Sequence, residues 1–181
     1  MNAKECLETR RSIRKYKADA VPAEVFSEIV ETARYAPSWK NTQIFRYHVI
    51  TNAQLKEKIA TECVCGFTFN TKTLLQAPAV VVLSYITKRC GYESDGSFTT
   101  SKEDRWEMFD AGIAAQTFCL AAHDKGIGTC IMGIFDDAKI AEVLNLPEGQ
   151  VVGAVIAAGY AEDLPVAPPR KELDAILTTY E

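Results

Sequence analysis

The pattern of apolar and polar positions along the 181-residue chain changes several times, and each change marks an element. Ala3 to Thr9 reads as a short helix. Pro22 suits the first turn of a second helix, where its missing N–H would be unpaired anyway. Val25, Phe26, Ile29, Val30 and Ala33 give that helix an apolar face to about Tyr35, and Pro37 stops it. Phe45 to Thr51 is strand-like, with β-branched and aromatic residues. Ala53 to about Glu62 returns to an amphipathic helical pattern. After Pro78, Ala79 to Tyr85 is a near-continuous apolar run, as expected for a strand buried on both faces. Lys88 to Glu103 has turn residues and no period, which predicts a loop or lid over a site.

The chain is organised around the next stretch, a long helix from about Arg105 to His123. Bulky residues (Trp106, Phe109, Ile113, Phe118, Leu120) and small ones (Ala111, Gly112, Ala114, Ala115, Ala121, Ala122) cover almost its whole circumference. A helix apolar all round is buried by other elements or by a second subunit. Gly126 ends it, and Thr129 to Met132 reads as a short buried strand closed by Gly133. Phe135 to Leu144 is another helix, and Val151 to Tyr160 a last strand in which Gly153 and Gly159 allow close approach. Pro165, Pro168 and Pro169 then force an extended connector, and Leu173, Ile176 and Leu177 form an apolar stripe in the tail. Few strands, mixed with helices without strict alternation, predict an α+β layered domain. One domain over residues 1–181 is expected, with 165–181 an extended arm of the kind that packs on another subunit.

Composition narrows the function. The net charge of -4 argues against wholesale nucleic-acid binding. No apolar run reaches the roughly 20 residues of a membrane span, and the N-terminus lacks an apolar signal core, so a cytoplasmic protein is expected. Six cysteines without a Cys-x-x-Cys pair read as reduced thiols, and only two histidines make a structural zinc site an unattractive reading. No metal is expected.

Three segments carry candidate chemistry. Arg10, Arg11, Ser12 and Arg14 place three guanidiniums and a hydroxyl within five residues, and planar donor forks match phosphate oxygens two at a time. A solvated basic turn would look the same. Pro37, Ser38, Trp39, Asn41 and Gln43 supply directional polar groups and a flat apolar face in one loop. The alternative is a loop that satisfies only its own backbone. Gly126 to Gly133 superficially matches a dinucleotide fingerprint, but the sixth place is Ile131 and the glycines follow a helix. Small residues there would instead let main-chain groups reach a heterocycle edge. His48 and His123 lie in an apolar strand and near a helix end, and a structural role is expected for both.

Taken together, these segments resemble the FMN-dependent nitroreductase family. The resemblance lies in an ordered set: Arg10 to Arg14, Ala36-Pro37-Ser38 with Asn41 and Gln43, Asn70, Ala77-Pro78, Asp110-x-Gly112, Gly126 to Cys130, and Arg170. It implies an α+β sandwich around a mostly antiparallel sheet flanked by helices, formed as an intertwined homodimer with FMN at the interface. By that resemblance, Arg10, Ser12 and Arg170 hold the FMN phosphate, with Arg11 on its backbone side. Arg14 lies by the pyrimidine edge as a candidate for stabilising reduced flavin. Pro37, Ser38, Trp39 and Asn41 come from the partner subunit. Asn70 bonds the ring edge, and Ile131, Met132 and Gly133 line the other side through their backbone. The implied activity passes hydride from NADH or NADPH to nitroaromatic, quinone or similar small-molecule acceptors with ping-pong kinetics. A specialised reductase of the same fold (a dehalogenase or enone reductase), a non-catalytic FMN-binding protein and a thiol-based module stay open as alternatives.

Overall fold

The computed structural model describes residues 1–181. Its centre is a four-stranded antiparallel sheet in the order β1-β2-β4-β3, from β1 (Phe45–Ile50), β2 (Ala79–Ile86), β3 (Gly128–Met132) and β4 (Gln150–Gly159). The apolar run of β2 takes a central place, where both faces are covered, and all of it but Ile86 is buried. Alternate residues then serve two cores. Ala79, Val81, Leu83 and Tyr85 point to one and Val80 and Val82 to the other.

The first core is closed by α2 (Ala23–Ala33) and α5 (Arg105–Asp124). Tyr47 of β1 stacks on Phe118 at 5.3 Å and donates its hydroxyl to Ala114 O at 3.0 Å. Gly153 lets α5 lie close: a Cβ there would come within 3.2 Å of both Ala111 Cβ and the Tyr85 ring. The register shifts at this point, between Leu83 and Ser84 of the facing strand. α5 ends in a Schellman motif, with Ile127 N–H donating to Ala122 O at 2.8 Å and Gly126 N–H to His123 O at 2.9 Å. Gly126 takes the left-handed backbone, φ +76°, that the motif needs. The second core lies under α3 (Ala53–Glu62), α4 (Thr68–Gln76) and α6 (Asp137–Val143).

Three expectations need correction. α2 stops at Ala33, and Arg34 and Tyr35 belong to the following turn. α6 begins at Asp137, capped by the Asp136 carboxylate on Lys139 N–H at 3.0 Å, so Phe135 lies outside it. β3 is an edge strand, and Ile131 is 45% exposed although its neighbours Cys130 and Met132 are buried. For α5 the expectation had left cover by other elements or by a second subunit open, and within one chain Met108, Phe109 and Gly112 face outward. α4 has no counterpart in the sequence reading. All six cysteines are free thiols, five buried and Cys65 exposed. No helix is long and apolar enough to cross a membrane. Residues 162–181 are exposed throughout, with a single 3₁₀ turn at Leu173–Ala175.

Candidate active site

The β3 edge is where the predicted residues gather. The segment after α1 (Ala3–Thr9) runs beside it, with Ser12 bridging Thr129 in parallel and Ile13 N–H donating to Thr129 O at 2.9 Å. Tyr16 anchors the segment from below. Its buried hydroxyl donates to Ile13 O at 2.7 Å and lies 3.1 Å from Ala157 O, and burial pushes the phenol well above its ordinary pKa. Further along, Lys17 N–H donates to Tyr160 O at 2.9 Å. Backbone groups on an antiparallel strand alternate in direction, and Thr129 O points outward to Ile13. By that alternation the N–H and C=O of Ile131 also point to the open edge. Ile131 O meets the Cys130 thiol weakly, at 3.9 Å, and the edge is open to a heterocycle.

A cleft of about 540 Å³ lies along this edge, lined by Arg14, Asn70, Ile131, Met132 and Gly133 together with Phe67, Phe69, Lys72, Thr73 and Gln76. Its far wall is α4, held by the fully buried Leu74. Residues 69, 72, 73 and 76 share one helical face, which is the face turned to the cleft. Asn70 Nδ2 donates to Ile134 O at 3.0 Å, which leaves its carbonyl oxygen as the group offered to the cleft. Thr73 stands near the floor, buried, with its hydroxyl on Phe69 O at 2.9 Å.

Beside the cleft is a groove of about 290 Å³ lined by Arg10, Arg11, Ser12, Arg14 and Arg170 with Pro165, Val166 and Pro168. Arg14 lines both concavities. None of the four arginines pairs with a carboxylate. Their only side-chain hydrogen bonds are to backbone carbonyls: Arg11 to Glu8 O at 2.7 Å and Arg10 O at 2.8 Å, Arg14 to Ser12 O at 3.3 Å, Arg170 to Pro168 O at 2.8 Å and Pro169 O at 3.4 Å. Four guanidiniums without a counter-ion around one groove suit a dianionic phosphate, since each retains donors for it.

Pro37, Ser38, Trp39 and Asn41 are not brought to this place. They form a loop at the other end of α5, in which Ser38 Oγ accepts from Gln43 N–H at 3.0 Å and Trp39 packs on Trp106 at 4.8 Å between ring centroids. Lys40, Asn41 and Gln43 all take left-handed backbone, φ +44°, +55° and +48°. Non-glycine residues seldom do so, and such clusters mark sites where the surroundings dictate the shape. Trp39 Nε1 and Thr42 Oγ1 are buried without partners. The 88–103 loop lies against this second site and away from the cleft of its own chain, joined by an ion pair from Lys40 to Glu93 at 3.3 Å.

Sequence reasoning named Asp110 only as a marker of the resemblance and Glu107 not at all, and gave neither of these acids its part in tying the loops down. Asp110 and Glu107, one turn apart on α5, are both buried. Asp110 Oδ2 accepts Trp39 N–H at 2.8 Å and the Cys90 thiol at 3.1 Å. Glu107 Oε1 accepts Lys88 N–H at 2.6 Å, and burial raises its pKa. Two acids inside an otherwise apolar helix were the available signal. Both histidines make single side-chain bonds away from the cleft, His48 to Ser84 Oγ and His123 to Thr9 Oγ1, each at 2.8 Å. A concavity of about 740 Å³ lies between α2 and β1 at the opposite sheet edge, and Glu31 is its only titratable group.

Comparison with known proteins adds an independent line. Residues 7–160 match the profile described as the Nitroreductase family. An Archaeoglobus fulgidus protein provisionally named NADH dehydrogenase/NAD(P)H nitroreductase is 30% identical over 166 residues, covering 88% of this chain and 87% of the relative. A nitroreductase family protein from Clostridium novyi NT superposes with a TM-score of 0.76 at 29% identity, over 90% of this chain and 87% of the other. The same architecture recurs at 20% identity and a TM-score of 0.86 in an Exiguobacterium sibiricum protein crystallised with FMN, over 99% and 98% of the two chains.

Proposed function

Because this chain belongs to the nitroreductase family, we propose that it is an FMN-dependent oxidoreductase carrying reducing equivalents from NADH or NADPH to nitroaromatic, quinone or similar small-molecule acceptors, and that it works as a homodimer. The observation that carries this reading is Arg14. It belongs both to a groove ringed by unpaired guanidiniums and to a cleft bordered by an open strand edge. A ligand with a dianion at one end and a planar heterocycle at the other fits that continuity.

FMN, when bound, supplies reversible two-electron chemistry. The chain holds and orients it. Arg10, Ser12 and Arg170 grip the phosphate, with Arg11 on its backbone side. Asn70 offers its carbonyl to the ring edge, and Ile131, Met132 and Gly133 meet the ring through backbone. Arg14, which lines both groove and cleft, would set a positive charge beside the bound ring and would favour an anionic form of it electrostatically. The chain carries no separate dinucleotide fingerprint, so donor and acceptor use one cleft in turn and the kinetics are ping-pong. Pro37, Ser38, Trp39 and Asn41 sit apart from the cleft and serve the site of the second copy. The outward face of α5 supports that assembly: Met108, Phe109, Gly112, Ile113, Gln116 and Thr117 line an open concavity of about 560 Å³. Phe109 there is 58% exposed.

Purified protein is expected to show a flavin spectrum that bleaches anaerobically on addition of NADH or NADPH and returns with a nitroaromatic or quinone. Arg10→Ala combined with Arg170→Ala is expected to yield folded, colourless protein. Stoichiometric flavin in that double variant would show that the phosphate lies elsewhere.

A further inference from the structure

We infer that Asp110 is a positioning residue acting in trans: its buried carboxylate holds the 37–43 loop in the shape that the neighbouring protomer's cofactor site uses. The inference rests on the proposed cross-interface role of that loop.

Asp110 is 2% exposed, and no lysine or arginine pairs with it. A carboxylate in that position is costly unless its donors are fixed. Its donors come from two separate loops, Trp39 N–H at 2.8 Å and the Cys90 thiol at 3.1 Å, both on Oδ2. The Trp39 bond falls at the start of the only segment with three left-handed non-glycine residues in four positions. Inside the loop Asn41 N–H donates to Ser38 O at 3.0 Å, Thr42 N–H to Trp39 O at 2.8 Å and Gln43 N–H to Ser38 Oγ at 3.0 Å, while the Asp110 bond and the packing of Trp39 on Trp106 tie that turn to α5. The shape serves nothing in its own chain's cleft, whose lining includes none of these residues. A second buried acid one turn away, Glu107, captures Lys88 N–H in the same manner, so α5 clasps both loops through their backbones. Backbone capture by a buried carboxyl oxygen fixes a main-chain path whatever side chains the loop carries.

Differently tagged chains test this. One carries Asp110→Ala and the other Arg10→Ala with Arg170→Ala. The Asp110→Ala homodimer is expected to bind FMN at least about tenfold more weakly than wild type, and Asp110→Asn, which keeps an acceptor oxygen for Trp39 N–H, to recover most of that loss. The heterodimer is expected to bind one FMN per dimer with wild-type affinity. Its single good site joins intact arginines from one chain to an intact loop from the other. A heterodimer with no tight FMN would overturn the trans assignment, and wild-type affinity in the Asp110→Ala homodimer would overturn the positioning role. Asp110→Leu, which fills the space without an acceptor, replaces the alanine variant if that is not recovered folded. Retained flavin in the arginine double variant, or a monomeric wild type, would instead remove the functional reading beneath the inference.

Discussion

Tyr16 shows how a residue outside the cleft governs one inside it. Its hydroxyl meets Ile13 O and Ala157 O, so the phenol fastens the arginine-bearing segment to the sheet. Tyr16→Phe leaves one buried carbonyl without its donor, which costs about 1–2 kcal/mol. Urea denaturation should register that loss, with weaker FMN retention beside it. His48 makes a pH prediction at the same scale. Ser84 Oγ donates to Gln150 Oε1 at 3.1 Å, so His48 Nε2–H is the donor to Ser84. Burial lowers the His48 pKa, and His123 is lowered by burial and then by Arg10 and Arg11. A depressed histidine contributes stability that is full above its ordinary pKa of about 6.5 and is lost as pH falls, because the unfolded chain binds more protons. Glu107 has the opposite sign, its raised pKa contributing stability that is lost as pH rises. The drop in urea midpoint from about pH 7.5 to about pH 5.5 should therefore shrink in His48→Gln. An unchanged drop would remove His48 from the account.

At the scale of elements, α4 is the one the cleft depends on and the one the chain announces least. Its sequence, TFNTKTLLQ, has three threonines, no apolar period and no side-chain cap. Only Thr73 and Leu74 are buried. The helix exists because Leu74 docks into the second core and Lys56 Nζ reaches Ala77 O just beyond its end at 2.6 Å. Leu74→Ala removes the fully buried anchor and should cost about 2–5 kcal/mol. Flavin affinity should fall more than for a distant core change of equal cost, measured by thermal melting beside FMN titration. β2 and α5 behave differently, because a long apolar pattern fixes burial locally. The exception on α5 is its acids, whose partners lie 71 residues away at Trp39 and 19 residues away at Lys88.

The whole molecule is incomplete as a single chain under the proposed reading. Its cofactor residues fall into two groups, the β3 edge with its groove and the 37–43 loop, and only a second copy unites them. The exposed face of α5 and the apolar side chains of the tail, Leu164, Leu173, Ile176 and Leu177, are the surfaces such a copy would cover. Phe109→Glu should give a monomer by analytical ultracentrifugation and lose most of its flavin while keeping its far-ultraviolet circular dichroism. A flavin-loaded monomer would contradict shared sites.

The sequence by itself determined the elements whose burial is written in short-range periodicity: β1, β2, β4, α2, α3 and the long α5 with its glycine stop. It also determined that guanidiniums crowd positions 10 to 14, because covalent neighbours need no fold to stay together. No local pattern could bring Arg170 to them or put Arg14 between groove and cleft; the resemblance implied a shared site, and the placement itself comes from tertiary structure. Tertiary structure likewise decided that Ile131 faces out from an edge strand, that α4 is a helix, and that Asp110 and Glu107 grip two loops. The division follows from physics. Periodicity records which face of an element is buried, whereas strand order, docking and long-range hydrogen bonds arise only when distant segments meet.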